Sequence, residues 1–197
     1  MWDLFNAPAL AGKITFRGGT FINKLPFKQP LRYSEDIDLV QAKSEPIGAT
    51  VDAVRDTLSW LGKCSREQAG HSIHLIFKFT LESAADVTPK LKVEINTREQ
   101  GSLLGIRQYP FVVDSSWYNG KTHVASFESE ELFGTKLRAL LQRRKNRDLF
   151  DLNEGLKQLA MNTDKRIACF DHYLKLEGSR LRARLPNRAC WRSSRAA

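Results

Sequence analysis

This 197-residue sequence has only three cysteines, Cys64, Cys169 and Cys190, far apart and odd in number. That count argues against a disulfide framework and predicts free thiols in a reducing, cytoplasmic compartment. Long apolar runs are missing as well. No uncharged stretch approaches the roughly 20 residues that a membrane-crossing helix requires, so no membrane partner is expected. The first residues, MWDLFNAPALAGK, lack the basic start and extended apolar stretch of a signal peptide. The last absence is of one charge sign. No acid follows Glu177, whereas six arginines do: Arg180, Arg182, Arg184, Arg188, Arg192 and Arg195. They supply most of the net charge of +9, so the rest of the chain is only mildly basic. Residues 178–197 are expected to form a disordered basic tail that adds non-specific affinity for nucleic acid.

What is present describes an ordinary globular protein, 42% hydrophobic and 27% charged. The length suits one core with a small helical appendage. Ile14-Thr15-Phe16-Arg17 reads as a strand ending at Gly18-Gly19, and Thr20 to Leu25 as a short helix closed by Pro26. Ile37-Asp38-Leu39-Val40 reads as a buried strand, and residues 46–61 as a helix with Val51, Val54, Leu58 and Leu61 inward. Residues 73–79 and 91–96 are strong strand candidates; 111–113 and 123–125 are shorter ones. After Phe127 the pattern turns helical. Ser126 and Ser129 are candidate caps, and Leu132, Phe133, Leu137, Leu140 and Leu141 form an apolar stripe. Arg143 to Asn146 reads as a turn, and Arg147 to Leu159 as a second helix. The expected organisation is a core over 1–127, a helical segment over 128–177 that completes the site, and the tail 178–197. The fold class is α+β, with a mixed sheet.

The chemistry centres on Ser34-Glu35-Asp36-Ile37-Asp38. Alternation along a strand points Asp36 and Asp38 the same way. Paired carboxylates repel unless a cation lies between them, and all-oxygen sites suit Mg²⁺. A D-x-D pair alone is common at solvated strand ends, and a glycine pair alone is usually a plain turn. Their order here is more specific: strand, Gly18-Gly19-Thr20, short helix, loop, paired aspartates. It suits a phosphate-approaching turn beside a metal site, with the Thr20 hydroxyl as a further donor. Glu94 lies on the same strand face as Lys92. It reads equally as a third ligand, as a base for an acceptor hydroxyl, or as a solvated strand residue. Lys136 sits among apolar residues of the helical segment, where it can reach a cleft and neutralise phosphate charge. Asp148 and Asp151 either position it or pair with Arg144 and Arg147. Arg138 is expected to project away from Lys136, and Arg143 to lie nearly in line with it. His71 and His74 lack the further ligands of a zinc site. Cys169 with His172 reads as a buried thiol beside a surface histidine.

Arg17-Gly-Gly-Thr, Arg32-Tyr-Ser-Glu-Asp-Ile-Asp-Leu, Lys92-Val-Glu-Ile, and Glu131 with Lys136, Arg143 and Arg147-Asp-Leu-Phe-Asp-Leu occur in one order. Together they resemble the AbiEii/AbiGii-type nucleotidyltransferase toxins of bacterial toxin–antitoxin and abortive-infection systems, within the polymerase-β superfamily. The resemblance spans roughly residues 14–160. It implies a polymerase-β-like fold, an NTP substrate, Mg²⁺, an RNA acceptor (tRNA in characterised relatives) and a cognate antitoxin. By motif position, Gly18, Gly19, Thr20 and Ser34 would contact phosphate. Asp36 and Asp38 would bind metal, and Lys136 and Asp148 would complete the catalytic set. The sequence departs from the family in a shorter helical lead, a shorter helical end, and Arg17 in place of a usual lysine. The competing readings are a truncated, inactive NTP- or RNA-binding member of the same fold, and a small basic RNA-binding module.

Overall fold

The computed structural model describes residues 1–27, 29–81, 88–143 and 145–176. The arginine-rich segment 178–197 and Cys190 lie outside the described residues. Two helical pieces, α1 (Trp2–Asn6) and a 3-10 turn at Pro8–Leu10, lead into strand β1 (Ile14–Arg17). Helix α2 (Gly18–Lys24) follows with no intervening turn, then β2 (Ile37–Gln41) and α3 (Gly48–Thr57). Next come β3 (Lys63–Ala69), β4 (Ser72–Lys78), β5 (Lys90–Asn96), β6 (Ile106–Asp114) and β7 (Asn119–Phe127). Every element after Phe127 among the described residues is helical: α4 (Ser129–Arg143), α5 (Asn146–Gln158) and α6 (Thr163–Leu176).

The seven strands form one mixed sheet in the order β3-β4-β5-β2-β1-β7-β6. Strand β2 runs parallel to β5 and antiparallel to β1. The registers Phe16↔Leu39, Leu39↔Ile95 and Val93↔Leu75 put these apolar side chains on one face. All of them are almost fully buried, and they join Phe21, Val54, Phe127 and Phe133 in the core. The same registers put Arg17, Asp38, Glu94 and His74 side by side on the opposite face. A single alternation thus fixes both the core and the polar wall described below.

Several local expectations change. The short candidates at 111–113 and 123–125 are parts of a hairpin of two nine-residue strands, β6–β7. Edge strand β3 was not foreseen, because Lys63–Ala69 is polar, largely exposed and without apolar alternation. Ser126 is not a helix cap. It lies buried in β7, and its hydroxyl donates to the Phe16 carbonyl at 2.6 Å. Leu141 of the predicted apolar stripe is exposed, whereas Leu132 and Phe133 enter the core.

Candidate active site

The site begins where β1 passes directly into α2. Gly18 has φ +81°, a conformation that glycine adopts without penalty. A β-carbon at Gly18 would overlap the Asp38 carboxylate, and one at Gly19 would press on the Arg32 guanidinium. The glycine pair therefore lets the paired aspartates and the motif loop close against the start of α2. Thr20 serves the same closure. It is buried, and its hydroxyl lies 2.7 Å from Ser34 Oγ and 2.5 Å from the Asp36 carbonyl oxygen. Thr20 thus lies behind the cleft, tying the loop down, whereas Gly18, Gly19 and Ser34 line it.

The cleft has a volume of about 300 Å³ and two walls of contrasting character. The sheet wall carries Asp36, Asp38, Lys92 and Glu94. Asp38 and Glu94 are partners in the parallel β2–β5 register, so the third carboxylate does face the aspartates. Lys92 Nζ lies 3.2 Å from Asp36 Oδ2 and 3.5 Å from Glu94 Oε2. Across the neighbouring strand, His74 Nε2 lies 3.3 Å from Glu94 Oε2. Burial, reinforced by Glu94 and Asp36, pushes the Asp38 carboxyl above its ordinary range, against the pull of Arg17 and Lys92. Burial works to lower Lys92, but the hydrogen bond to Asp36 and the charges of Asp36, Glu94 and Asp38 raise it overall.

The helical wall is made by α4 and α5. Lys136 is 6% exposed, and its Nζ contacts Asp148 Oδ1 at 3.2 Å and Asp151 Oδ2 at 3.0 Å. Arg32 grips Asp151 through Nε and Nη2, both at 2.7 Å. This bidentate contact fastens the loop before Asp36 to α5. Burial would raise Asp151, yet Arg32 and Lys136 together hold its carboxyl below the ordinary range. Arg143 reaches Asp148 at 3.4 Å. Asp148 and Asp151 therefore hold the Lys136 amine; Arg144, named in the alternative reading, lies outside the described residues.

Arg138 does not follow expectation. It is buried rather than projecting away, and it lines the cleft. Its Nη2 lies 2.6 Å from Glu99 Oε1, and Arg17 pairs with the other carboxylate oxygen. Burial opposes ionisation of Glu99, but the two arginines outweigh it and lower its pKa. Two hundred degrees around the helix does not lead to solvent here, because α4 is covered on that side by α6 through Cys169, Tyr173 and their neighbours. Glu131 is likewise buried. It accepts from the Leu103 and Leu104 amides, the Ser102 hydroxyl and the Tyr173 hydroxyl, and anchors loop 102–104 to the helices. The Cys169 thiol is pushed up to about 11, chiefly by burial, which suits an inert core group.

Sequence reasoning singled out Gly18, Gly19, Ser34, Asp36, Asp38, Glu94, Lys136 and Asp148, and all of these line one cleft. It missed Glu99, the Arg32–Asp151 clamp and the His74–Glu94 contact. Arg32 and Asp151 each stand in a quoted motif, but these contacts join residues distant in sequence, which no local pattern pairs.

The model of the family described as nucleotidyl transferase AbiEii toxin, type IV toxin–antitoxin system, matches residues 1–190. No curated protein matches by sequence. Among solved structures, MenT4, a nucleotidyltransferase toxin from Mycobacterium tuberculosis H37Rv, superposes with a TM-score of 0.64 at 15% identity. The match covers 94% of this chain and 65% of MenT4. JHP933 from Helicobacter pylori gives a TM-score of 0.61 at 20% identity, covering 87% of this chain and 71% of that one. A putative nucleotidyltransferase from H. pylori gives 0.55 at 17% identity, with 95% and 84% covered. At these identities the structural likenesses establish the fold, and this chain spans about two thirds of MenT4.

Proposed function

The chain belongs to the nucleotidyl transferase AbiEii toxin family of type IV toxin–antitoxin systems, and on that premise we propose that its cleft transfers a nucleoside monophosphate from an NTP to an RNA acceptor, tRNA by family resemblance. The observation that carries the reading is the apposition of the Asp36–Asp38–Glu94 wall with Lys136 across one cleft. A cognate antitoxin is the implied protein partner. Among the described residues no helix is long and apolar enough to cross a membrane.

The donor set fits Mg²⁺. It consists of carboxylate oxygens only, and the wall already holds a positive group, the Lys92 ammonium. Asp36 and Asp38 would hold the ion, with Glu94 beside them; bound there, Mg²⁺ supplies charge neutralisation on the triphosphate. The chain's own groups do the rest. The backbone N–H groups of Gly18 and Gly19 donate to phosphate oxygens, and the Ser34 hydroxyl does so by turning its proton away from Thr20 Oγ. Lys136 faces the leaving pyrophosphate, with Asp148 and Asp151 fixing its amine. The acceptor hydroxyl attacks the α-phosphorus in line, forming a new P–O bond as the bond to pyrophosphate breaks. Its proton passes to a Glu94 carboxylate oxygen, which lies next to Asp38 in register.

The test is incubation of the protein with each labelled NTP, Mg²⁺ and either total RNA or purified tRNA. Label appearing on tRNA supports the proposal. Label on another RNA class would replace tRNA as the acceptor. NTP binding without any transfer would favour the inactive-member reading.

A further inference from the structure

Lys92 is a residue for which the transfer reaction, as described, has no use. It stands on β5 two residues before Glu94, so both side chains leave the strand on one face. The register Ile37↔Val93 sets it beside Asp36, the residue just before β2. Its amine bridges Asp36 Oδ2 at 3.2 Å and Glu94 Oε2 at 3.5 Å. Among the described residues no three His, Cys, Asp or Glu side chains are arranged as a ready-made metal cage. The ammonium between Asp36 and Glu94 instead holds two of the three carboxylates.

We propose that Lys92 is a built-in counter-ion that holds the acidic wall together without metal and competes with a divalent cation for Asp36 and Glu94. The inference rests on the metal reading above. The exchange is feasible because the three side chains are each about one-third exposed, at 31% for Lys92, 33% for Asp36 and 29% for Glu94. The amine can therefore swing into the cleft and keep its hydration, which the deeply buried Lys136 cannot do. A divalent cation coordinates carboxylate oxygen near 2 Å and carries twice the charge, so it wins the oxygens when present. Glu94 stays located as the amine leaves, because His74 contacts the same oxygen from β4. Lys92 is in this sense a positioning residue that sets the metal affinity of the site.

The test uses the full chain, titrated calorimetrically with Mn²⁺ alone. Lys92→Met should bind Mn²⁺ about tenfold more tightly than wild type, since one cation at a few ångströms has been removed. Lys92→Arg, which keeps the charge, should stay close to wild type. In metal-free buffer Lys92→Met should melt at a lower temperature than wild type, and Mn²⁺ should raise its Tm by the larger increment. Lys92→Gln repeats the comparison if methionine perturbs the fold. Equal or weaker Mn²⁺ affinity in both neutral variants would overturn the proposal and leave the metal reading standing. Absence of Mn²⁺ binding in wild type and neutral variants alike would overturn the metal reading, and this inference with it.

Discussion

The two walls of the cleft use the same kinds of charged residue and treat them in opposite ways. On the sheet, Asp36, Lys92 and Glu94 remain about one-third exposed and pair loosely, at 3.2–3.5 Å. On the helices, the side chains of Lys136, Asp148 and Asp151 are 7%, 0% and 1% exposed, and Arg32 and Arg143 join them in one network. Loose, wet pairs contribute little to stability and are free to exchange for a ligand. Buried pairs are costly to break, because the group left behind is an uncompensated charge. The sheet wall is therefore built to exchange ions. The helical wall is built to hold one lysine and the motif loop in place.

Neutralising the sheet wall should give the largest functional effect. Asp36→Asn or Asp38→Asn should lower nucleotide transfer by about a thousandfold or more. Neither should cost more than about 1 kcal/mol in urea unfolding. Breaking the helical wall should reverse the pattern. Lys136→Ala leaves Asp148 with the long Arg143 contact and Asp151 with Arg32 alone, so the same unfolding assay should show a loss of roughly 2–3 kcal/mol as well as poor NTP use. Lys92→Met on the opposite wall should lose less than about 1 kcal/mol. Gly18→Ala acts at the start of α2, beside the sheet wall. It combines a positive φ with overlap onto Asp38, so a loss of about 1–3 kcal/mol is expected, together with lost transfer.

Acid should act through the buried pairs. The Asp151 and Glu99 carboxyls have folded pKa values below their ordinary 3.8 and 4.5. Stability from these pairs is then fully present above about pH 5 and is lost as pH falls through the depressed folded values. Thermal melts should drop below about pH 4. The double variant Asp151→Asn with Glu99→Gln should start less stable and show a shallower drop. The smallest effect concerns the arginine-rich residues 178–197. Deleting their six arginines should flatten the salt dependence of RNA binding and leave NTP binding unchanged.

The sheet wall was legible in the sequence to a degree that the helical wall was not. Period-two alternation in Asp36-Ile-Asp38 and Lys92-Val-Glu94 assigns the face of each carboxylate before any pairing is known, and the glycine pair, expected as a turn, is itself the first turn of α2. What alternation cannot supply is register. Only the parallel pairing of β2 with β5 sets Glu94 beside Asp38 and Lys92 beside Asp36. The helical wall depends on tertiary packing at every point. Arg32 and Asp151 are 119 residues apart and meet only because α5 folds back over the motif loop. Arg138 was misplaced because a helical wheel locates a side chain on its own helix but says nothing of the neighbour that covers it. Edge strand β3 carries no apolar signal at all, since its partners come from the backbone of β4.

The central claim is that the sheet wall carries the chemistry. The direct measurement is transfer of label from NTP to tRNA in Mg²⁺ by wild type and by Asp38→Asn of matched thermal stability. The account predicts labelled tRNA from wild type and none above background from the variant. Equal labelling by the two proteins would contradict it.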